Sequence, residues 1–453
     1  MTYLEAVSLI KNIEDEYDVM CVRYKGVSVW PHLRLYILDS ISNQTEIKAS
    51  GSVMKVVLKS LFTYNPFQVF KRRKIWLFAA CERRKQIGTK MIHRVSGGIS
   101  ASEECLIIEK PRLQKGHYKR KEIEEKNIVS ESWLLVLSHI MEVFLKLSAP
   151  SIENEHILQK ILSEQHIKFD YRHYVISLNA KRLSLLWLMK LAPKPKLAIM
   201  ECPYNAMGYM WAFHQKGVKV LEMQHGVAGR NHNAYNGKAY DTVLNPDGIC
   251  VFGVEEYNYF TDEEPQYTPK VYMTGLYMLE KANAYFEDDV FSVYKRKYDK
   301  VIVCSGQSRF EEQLASFVER IAEKNENIMF IYIPRDNQIE LIFRQTNVLV
   351  ARDVNIYQYL KWADLHITIS STTCLEAQFF HKPTVFYNYD CMSSSYYGNV
   401  LKEENGAVYI SKPDDFNNAI KYLQQGDFRY LEVFAHNHLY KIKVAIDDMM
   451  INN

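Results

Sequence analysis

Short continuous runs of apolar residues recur along this chain and alternate with longer stretches in which apolar residues return at helical spacing. Continuous apolar runs are typical of strands that are buried on both faces of a parallel sheet. Strands that alternate with helices of about 10–15 residues form doubly wound parallel sheets. The pattern therefore predicts an α/β fold.

The apolar runs fall into two groups, which predict two Rossmann-like parallel-sheet lobes facing a cleft. Residues 1–70 are predicted to be a helical segment, 71–280 and 281–430 the two lobes, and 431–453 a C-terminal helix. The charged stretch near 280–298 is predicted to join the lobes. The predicted strands are 74–80, 104–108, 197–200 and 218–223 in the first lobe, and 301–304, 327–333, 348–350, 365–369 and 384–387 in the second.

The composition fits two soluble domains, since the chain has 453 residues with ordinary apolar content. The net charge of +3 is too weak to indicate nucleic-acid binding. Basic residues are concentrated at 71–74 and within 110–121. These patches are either solvated loops or contacts with anionic lipid head groups or a phosphorylated acceptor.

Eight cysteines are scattered without a Cys-x-x-Cys pair, which favours buried, reduced thiols over a disulfide framework or a zinc site. The N-terminal residues lack the basic and apolar regions of a signal peptide. The apolar run 133–147 is too short and too polar to span a bilayer. We therefore expect a cytoplasmic protein whose membrane contact, where it has any, is peripheral at the inner face of the plasma membrane.

The sequence Ser370-Ser371-Thr372 separates a predicted strand from a predicted helix. The free N–H groups and positive dipole end of such a helix attract anions, and hydroxyl groups add donors for phosphate oxygens. Glu376 follows about one turn later, where a carboxylate could reach a ribose hydroxyl. The alternative is an ordinary N-cap before a core helix.

Other loops of the second lobe are predicted to reach the same edge of the sheet. Gly306 would allow a ligand to approach the backbone closely, and Gln307 follows it. Arg335 offers a planar fork that suits phosphate. Together with the Ser-Ser-Thr turn, these loops predict a pocket for a phosphate and a nucleoside.

In the first lobe, two candidate catalytic residues follow neighbouring predicted strands. Glu201 ends the strand 197–200, and His225 comes just after 218–223. A right-handed crossover brings both to the carboxyl edge of the sheet, where open α/β sheets bind ligands. Either could be a general base, and His225 could instead be a cation beside a leaving phosphate. The alternatives are a helix-capping carboxylate and a buried structural histidine.

Further polar residues are expected on the acceptor side of the first lobe. Glu82, Arg83 and Arg84 follow the strand 74–80, where arginines could hold an anionic substrate or form surface ion pairs. His232 lies in the same loop as His225 and is expected to line the site.

Several well-known motifs are absent from the sequence. It contains no Gly-x-x-x-x-Gly-Lys-Ser/Thr loop, no Gly-x-Gly-x-x-Gly after a first strand and no Gly-x-Ser-x-Gly elbow. No Asp-x-Asp ends a strand in a way that suggests a metal-held diphosphate. We therefore predict a metal-independent reaction without a cofactor.

Four segments resemble bacterial glycosyltransferases of capsule and lipopolysaccharide biosynthesis that have the GT-B fold. They are Gln224-His225-Gly226, the stretch 246–253, Thr274-Gly275 and Ser370-Ser371, the last resembling the paired serines of sialyl- and Kdo-type transferases and the hydroxyl turn of CDP-glycerol-type transferases. One departure concerns the donor site. Many CMP-sugar enzymes have His-Pro where this chain has Ile333-Pro334-Arg335, so Arg335 is expected to take the place of that histidine.

The resemblance implies a transferase that moves a sugar from a nucleotide-activated donor, with a CMP-sugar as one candidate, to a growing surface polysaccharide or a lipid-linked glycan. It implies donor binding by the second lobe and acceptor binding by the first. The alternatives are a CDP-alcohol polyolphosphate transferase, a nucleotide-sugar epimerase of the same fold, and a non-catalytic scaffold that binds a glycan or a partner enzyme.

Overall fold

The computed structural model describes residues 3–42, 53–113, 115–226, 228–229, 232–238, 240–262, 267–307, 309–335 and 339–451. The chain divides into two compact units. The first unit comprises Met1–Lys85, Thr89–Tyr277 and His436–Asn453. The second comprises Gln86–Gly88 and Met278–Ala435.

Strands and helices are numbered in chain order. The strands are β1 (Arg23–Tyr24), β2 (Val27–Ser28), β3 (Ile75–Ala80), β4 (Arg84–Ile87), β5 (Lys90–His93), β6 (Cys105–Lys110), β7 (Ile128–Ser130), β8 (Leu197–Glu201), β9 (Lys219–Met223), β10 (Gly248–Val251), β11 (Lys270–Met273), β12 (Lys300–Ser305), β13 (Ile328–Ile333), β14 (Val348–Val350), β15 (Leu365–Thr368), β16 (Thr384–Tyr387) and β17 (Ala407–Ile410). The helices are α1 (Tyr3–Glu16), α2 (Trp30–Ile41), α3 (Val53–Ser60), α4 (Gly97–Ser100), α5 (Ser132–Leu145), α6 (Glu155–Glu164), α7 (Tyr171–Leu191), α8 (Met207–Gln215), α9 (Val254–Asp262), α10 (Tyr277–Tyr285), α11 (Glu311–Glu323), α12 (Ile356–Trp362), α13 (Thr373–Phe379), α14 (Met392–Tyr397), α15 (Phe416–Gln425) and α16 (His438–Ile451).

The first unit is built on a parallel sheet with the strand order β11-β10-β9-β8-β3-β6-β7. Within this sheet, β3 is the first strand in the sequence, and β6 and β7 follow on one side of it. The chain then crosses to the other side of β3, where it forms β8. Every residue of β8 is buried, as expected for a central strand that helices cover on both faces. The strand order therefore reverses between β3 and β8.

Helices from both ends of the chain complete the first unit. Trp30 and Leu33 of α2 are buried in the same hydrophobic core as Trp76 of β3, so the N-terminal helical segment is part of this unit. At the other end, α16 packs against β8, β10 and β11. Both segments, predicted to be separate from the lobe, therefore belong to the same compact unit as its sheet.

The second unit repeats this topology in a parallel sheet with the strand order β14-β13-β12-β15-β16-β17. Here the order reverses between β12 and β15. Helices α11 and α15 bury apolar faces in its core, which includes Phe317 and Phe416. Both units therefore have the strand order of a Rossmann fold.

The structure confirms the predicted α/β class and parallel sheets, and it corrects some details. The prediction misses β7 and β17, which are short strands at the edges of the two sheets. The charged stretch expected to join the lobes overlaps the C-terminal part of α10, where Ala282 is buried. The two units meet in sequence at Tyr277 and Met278, just before that stretch.

The described residues include no helix with both the length and the apolar character needed to cross a bilayer. All eight cysteines are described, and each is a free thiol. The first of these findings agrees with the expectation that the apolar run 133–147 does not span a membrane.

We predict that Gly208→Ala destabilises the first unit. Gly208 lies where α8 crosses α7, and a Cβ atom there would come within 2.3 Å of the Leu178 carbonyl oxygen. We expect the substitution to lower the free energy of unfolding by about 1–3 kcal/mol, measured by urea denaturation. Gly226→Ala is the matched control, since a Cβ there meets no atom within 4 Å. Equal denaturation midpoints for both variants would contradict the prediction.

Candidate functional site

The carboxyl edge of each sheet, at the point where its strand order reverses, is the place where open α/β sheets bind ligands. In the second unit, β12 leads into Gln307 and β15 leads into Ser370. The Gln307 side-chain oxygen accepts hydrogen bonds from the Ser370 backbone N–H at 3.1 Å and from the Ser370 hydroxyl at 2.9 Å. The Gln307 amide donates to the Ser370 carbonyl oxygen at 3.2 Å. One glutamine thus connects the two loops that diverge at the reversal.

The rest of the hydroxyl-rich turn lies beside this connection. Thr372 is exposed, and Ser371 is half-buried with its hydroxyl accepting a hydrogen bond from the Thr373 N–H at 3.4 Å. Arg335 follows β13, the neighbour of β12, and its side chain is exposed. Three adjacent strands therefore lead into the sequence-predicted residues at one edge of the sheet. Arg335 follows β13, Gln307 follows β12, and Ser370, Ser371 and Thr372 follow β15.

A buried polar network supports the turn from below. The Ser305 hydroxyl lies 2.8 Å from His366 Nε2 and 2.7 Å from the Thr373 hydroxyl. His366 Nδ1 lies 3.3 Å from the Thr384 hydroxyl. Burial lowers the pKa of His366 to about 3, so this imidazole is neutral and acts as a fixed link between β12, β15 and α13.

Two predicted donor-site residues have different roles in the structure. A Cβ atom at Gly306 would lie 1.9 Å from Glu311 Oε1, so the Glu311 carboxylate occupies the space that was predicted for a ligand. That carboxylate also accepts hydrogen bonds from the Tyr332 hydroxyl and the Arg335 N–H. Glu376 is only 3 % exposed, with the Tyr357 hydroxyl 3.4 Å from its Oε1. The prediction that Glu376 is open to a ribose is therefore wrong.

Glu201 occupies the corresponding reversal in the first unit, at the end of β8. Its carboxylate accepts hydrogen bonds from the Ser96 hydroxyl at 2.7 Å and from the Ala80 N–H at 3.2 Å. Arg83 Nη1 lies 3.3 Å from the same carboxylate. The Glu201 side chain is fully buried, whereas that of Arg83 is 23 % exposed. Glu201 therefore joins the β3 and β8 loops and holds Arg83 in place.

His225 follows β9, the strand next to β8, and lies against a tyrosine that the sequence analysis missed. The Tyr204 hydroxyl is 3.2 Å from His225 Nε2 and 3.5 Å from His232 Nε2. Burial and the nearby charge of Arg83 lower the pKa of His225 to about 3, and burial lowers that of His232 to about 4. Both imidazoles are neutral at physiological pH. The lowered pKa argues against the proposed cation role and makes His225 a weak base in this structure.

Within the described part of the chain, His225 Nδ1 is buried and has no hydrogen-bond partner. An unpaired buried nitrogen is energetically costly, and such atoms are often explained by a function. The structure therefore singles out His225 among the residues at this edge.

The predicted acceptor residues Glu82, Arg83 and Arg84 point in different directions although they are consecutive. Glu82 is exposed and Arg83 is partly exposed. Arg84 is only 3 % exposed and forms buried ion pairs with Glu109 at 2.6 Å and Glu125 at 3.0 Å. The prediction that Arg84 faces a substrate is wrong, since its charge is already neutralised inside the unit.

One trio within the described ranges has metal-ligand chemistry: Cys81, Glu109 and His117. Burial alone would raise the pKa of Glu109, but hydrogen bonds from His117 and His93 and the charge of Arg84 hold it well below its usual value. Burial also raises the pKa of Cys81 to about 12, so this group is a thiol. The carboxylate is already occupied by cationic and hydrogen-bonding partners, and we interpret the trio as part of the ion-pair network around Arg84.

Sequence reasoning missed Tyr204 and Ser96 for different reasons. Tyr204 lies in the loop that follows β8, so an inspection of every polar residue after that strand would have found it. Ser96 lies between β5 and α4, far from any predicted strand end, and no sequence signal points to it.

Comparison with known proteins identifies the fold. No family model matches the chain, and no curated protein matches it. Among solved structures, the S. aureus MnaA–UDP co-structure matches with a TM-score of 0.50 and 12 % identity over 84 % of this chain and 97 % of that chain. A UDP-GlcNAc 2-epimerase from Methanocaldococcus jannaschii has a TM-score of 0.48 and 10 % identity over 83 % and 99 % of the two chains. The wall teichoic acid polymerase TagF, soaked with CDPG, has a TM-score of 0.47 and 11 % identity over 93 % and 96 %.

These low identities concern the fold alone. The fold is of the GT-B type, with two Rossmann-like α/β units, each built on its own parallel sheet. This confirms the predicted fold class.

We predict that Glu222→Gln changes how stability depends on pH. Glu222 is buried in β9, where burial raises its pKa to about 8 although the Tyr235 hydroxyl donates a hydrogen bond to it. An unfolded Glu has a pKa of about 4.3, so the folded state binds this proton more tightly. The contribution of this bound proton to the free energy of unfolding is therefore lost as pH rises from about 4 to about 8.

Glutamine cannot ionise, so the free energy of unfolding of Glu222→Gln should rise relative to the parent by roughly 1–4 kcal/mol between about pH 5 and pH 8. Urea denaturation across this range measures it. Glu256, whose pKa burial raises to about 7, is present in both proteins and cancels in the difference. Parallel stability curves for the two proteins would refute the prediction.

Proposed function

We propose that the protein is a glycosyltransferase that moves a sugar from a nucleotide-activated donor to a surface polysaccharide or a lipid-linked glycan without a metal ion. The observation that carries this proposal is the hydrogen-bonded connection between Gln307 and Ser370 at the reversal of the second sheet. The GT-B-type fold supports it, as does the presence of UDP in the S. aureus MnaA structure.

In this proposal the second unit binds the donor. The Ser371 and Thr372 hydroxyls and the exposed Arg335 guanidinium contact the donor phosphates, because charge-assisted hydrogen bonds to phosphate are strong. Gln307 holds the Ser370 turn in position for them. The charge that develops on the leaving phosphate is stabilised by these donors, which need no metal.

The first unit binds the acceptor and provides the base. His225 is neutral, and its Nδ1 has no hydrogen-bond partner among the described residues, so it can take the proton of an acceptor hydroxyl. An anionic substrate beside Arg83 would offset that cation and raise the pKa of His225 toward the range in which a base is effective. Glu201 already accepts three hydrogen bonds, so we assign it a positioning role for Arg83. His232 shares Tyr204 with His225 and helps to hold it.

We predict that Ser371→Ala and Arg335→Ala each weaken donor binding. Each variant removes a donor to a charged phosphate, so we expect a loss of affinity of roughly tenfold or more. Isothermal titration calorimetry with CMP, CDP, UDP and GDP measures it and identifies the preferred base. Ser316→Ala and Arg344→Ala are matched controls, since both residues are exposed elsewhere in the same unit. Unchanged affinity in the first two variants would refute the donor-site assignment.

We predict that His225→Ala lowers kcat by at least about a hundredfold and leaves nucleotide affinity unchanged, because the base acts only in the chemical step. Tyr204→Phe should have a smaller effect, since it removes one hydrogen bond from the imidazole. Turnover of the nucleotide sugar with and without acceptor, followed by mass spectrometry, measures both variants.

The same products separate the remaining alternatives. A glycosidic linkage to acceptor supports a glycosyltransferase, and a phosphodiester linkage would show a polyolphosphate transferase. Conversion of the nucleotide sugar without any acceptor would show an epimerase. Full activity of His225→Ala would refute its role as the base, and a parent protein without any turnover would favour a scaffold.

The CMP-sugar donor, the cytoplasmic location and the absence of a cofactor stay predictions. The predicted peripheral contact with an anionic membrane also stays one, and a surface of the first unit gives it a specific form.

A further inference from the structure

Helix α5 exposes several large apolar side chains and buries both of its serines. Its buried residues are Ser132, Leu134 and Ser138. The Ser138 hydroxyl lies 2.8 Å from the Ser184 hydroxyl of α7, so hydroxyl groups occupy the contact between the two helices. The large apolar residues instead face outward, with exposed fractions of 41 % at Trp133, 45 % at Ile140, 54 % at Val143 and 64 % at Phe144. An ordinary surface helix has the opposite arrangement.

This exposed face borders an apolar groove of about 440 Å³. Phe62 packs edge-to-face on Trp133 with ring centroids 5.1 Å apart, and the Trp133 indole donates to the Leu61 carbonyl oxygen at 2.9 Å. Phe67, 71 % exposed, also lines the groove. Trp187 and Leu191 extend the apolar surface along α7. Large continuous apolar patches on a protein surface mark sites of binding to a partner or a membrane.

The charges near the groove are almost all positive. Three segments supply most of the lining, 53–74, 132–147 and 185–196, and Ile108, Val129 and Ser130 supply the rest. Glu109 and Glu131, which neighbour those last three residues, are buried, so they add no exposed negative charge. The only acidic residue of the three segments is Glu142, and Lys74 is paired with Glu104 outside them. Their basic residues are Lys55, Lys59, Lys71, Arg72, Arg73, Lys74, Lys146, Lys190, Lys194 and Lys196.

We propose that this surface of the first unit, comprising the groove, the outer face of α5 and the basic residues beside them, docks the protein onto a bilayer that contains acidic phospholipids. The exposed tryptophans and phenylalanines enter the boundary between head groups and acyl chains, as in interfacial helices. The lysines and arginines contact the acidic head groups, and their long side chains can reach these while their aliphatic parts stay on the apolar surface.

The charge pattern favours a membrane over the other occupants. A second copy of this chain would bring Lys71 and Arg72, which are exposed next to Phe70 of the groove, against a surface of the same charge, which opposes self-association through this face. An acidic bilayer complements both the apolar and the basic parts. The inference goes beyond the proposed function, because docking needs neither donor nor acceptor.

Co-sedimentation with vesicles of phosphatidylcholine alone, or with about one third phosphatidylglycerol, tests the proposal. At about 0.1 M salt, we expect the full-length protein to bind the acidic vesicles more tightly. Each basic residue near an acidic surface contributes about a fivefold factor, so Lys71→Glu with Arg72→Glu should weaken that binding by on the order of 25-fold or more. Phe67→Ser with Phe144→Ser should weaken binding to both vesicle types by at least about tenfold.

Two double variants are matched controls. Lys412→Glu with Lys421→Glu makes the same charge change on exposed residues of the second unit. Tyr440→Ser with Val444→Ser removes exposed apolar side chains from α16, which packs at the other end of the first sheet. Both controls should bind vesicles like the parent protein, and thermal denaturation shows whether each variant is folded.

Three outcomes would overturn the proposal. The parent protein stays in the supernatant with both vesicle types, or the groove variants bind as well as the controls. In the third outcome, the parent protein binds no vesicles, sedimentation velocity shows that it is a dimer, and the double variant Phe67→Ser with Phe144→Ser is a monomer. The surface would then be an interface between two copies of the chain.

Discussion

The reversal of strand order beside the first strand of each sheet is the constraint on which the rest of the structure depends. Because crossovers between parallel strands are right-handed, a chain that starts in the middle of a sheet must turn back to the other side of its first strand. Two neighbouring loops then leave the sheet in opposite directions and open a crevice between them. In this protein one side chain crosses each opening: Glu201 in the first unit and Gln307 in the second. The candidate residues of both units are placed around these two side chains.

The two crossing side chains differ in charge, and the difference fits the donor and acceptor sides of the proposed function. Gln307 is a neutral amide, so it can hold Ser370 beside a phosphate without repelling it. A carboxylate at the same place would oppose anion binding. Glu201 carries the charge that Gln307 lacks, but Arg83 lies against it and a backbone N–H and a hydroxyl complete its hydrogen bonds. A buried carboxylate is tolerated when its charge is offset in this way. It fixes an arginine at the edge without leaving a net negative charge there.

The sequence predicts the fold well because the strands of both sheets are continuous apolar runs, which is the direct consequence of burial on both faces. It also finds Gln307 and Ser370, since the end of a strand places the next residue at the edge. The prediction fails where the environment of a residue depends on contacts with segments that are distant in sequence. Arg83 and Arg84 are adjacent in sequence, yet one reaches the edge and the other is buried against Glu109, which belongs to a different strand. Gly306 has the pattern of a ligand-binding glycine, but a carboxylate from the following helix fills the space beside it.

The docking surface and the acceptor side of the proposed site belong to one sheet, and this connects them physically. Ile108 of β6 and Val129 of β7 line the groove, and both lie near the carboxyl ends of their strands. Strand β8, which carries Glu201, is three positions from β7 in the strand order. Neighbouring strands are about 4.8 Å apart, so the two places are separated by roughly 15 Å along the sheet. A glycan whose lipid anchor stays in the bilayer at the groove could therefore present a sugar hydroxyl at the edge where His225 lies.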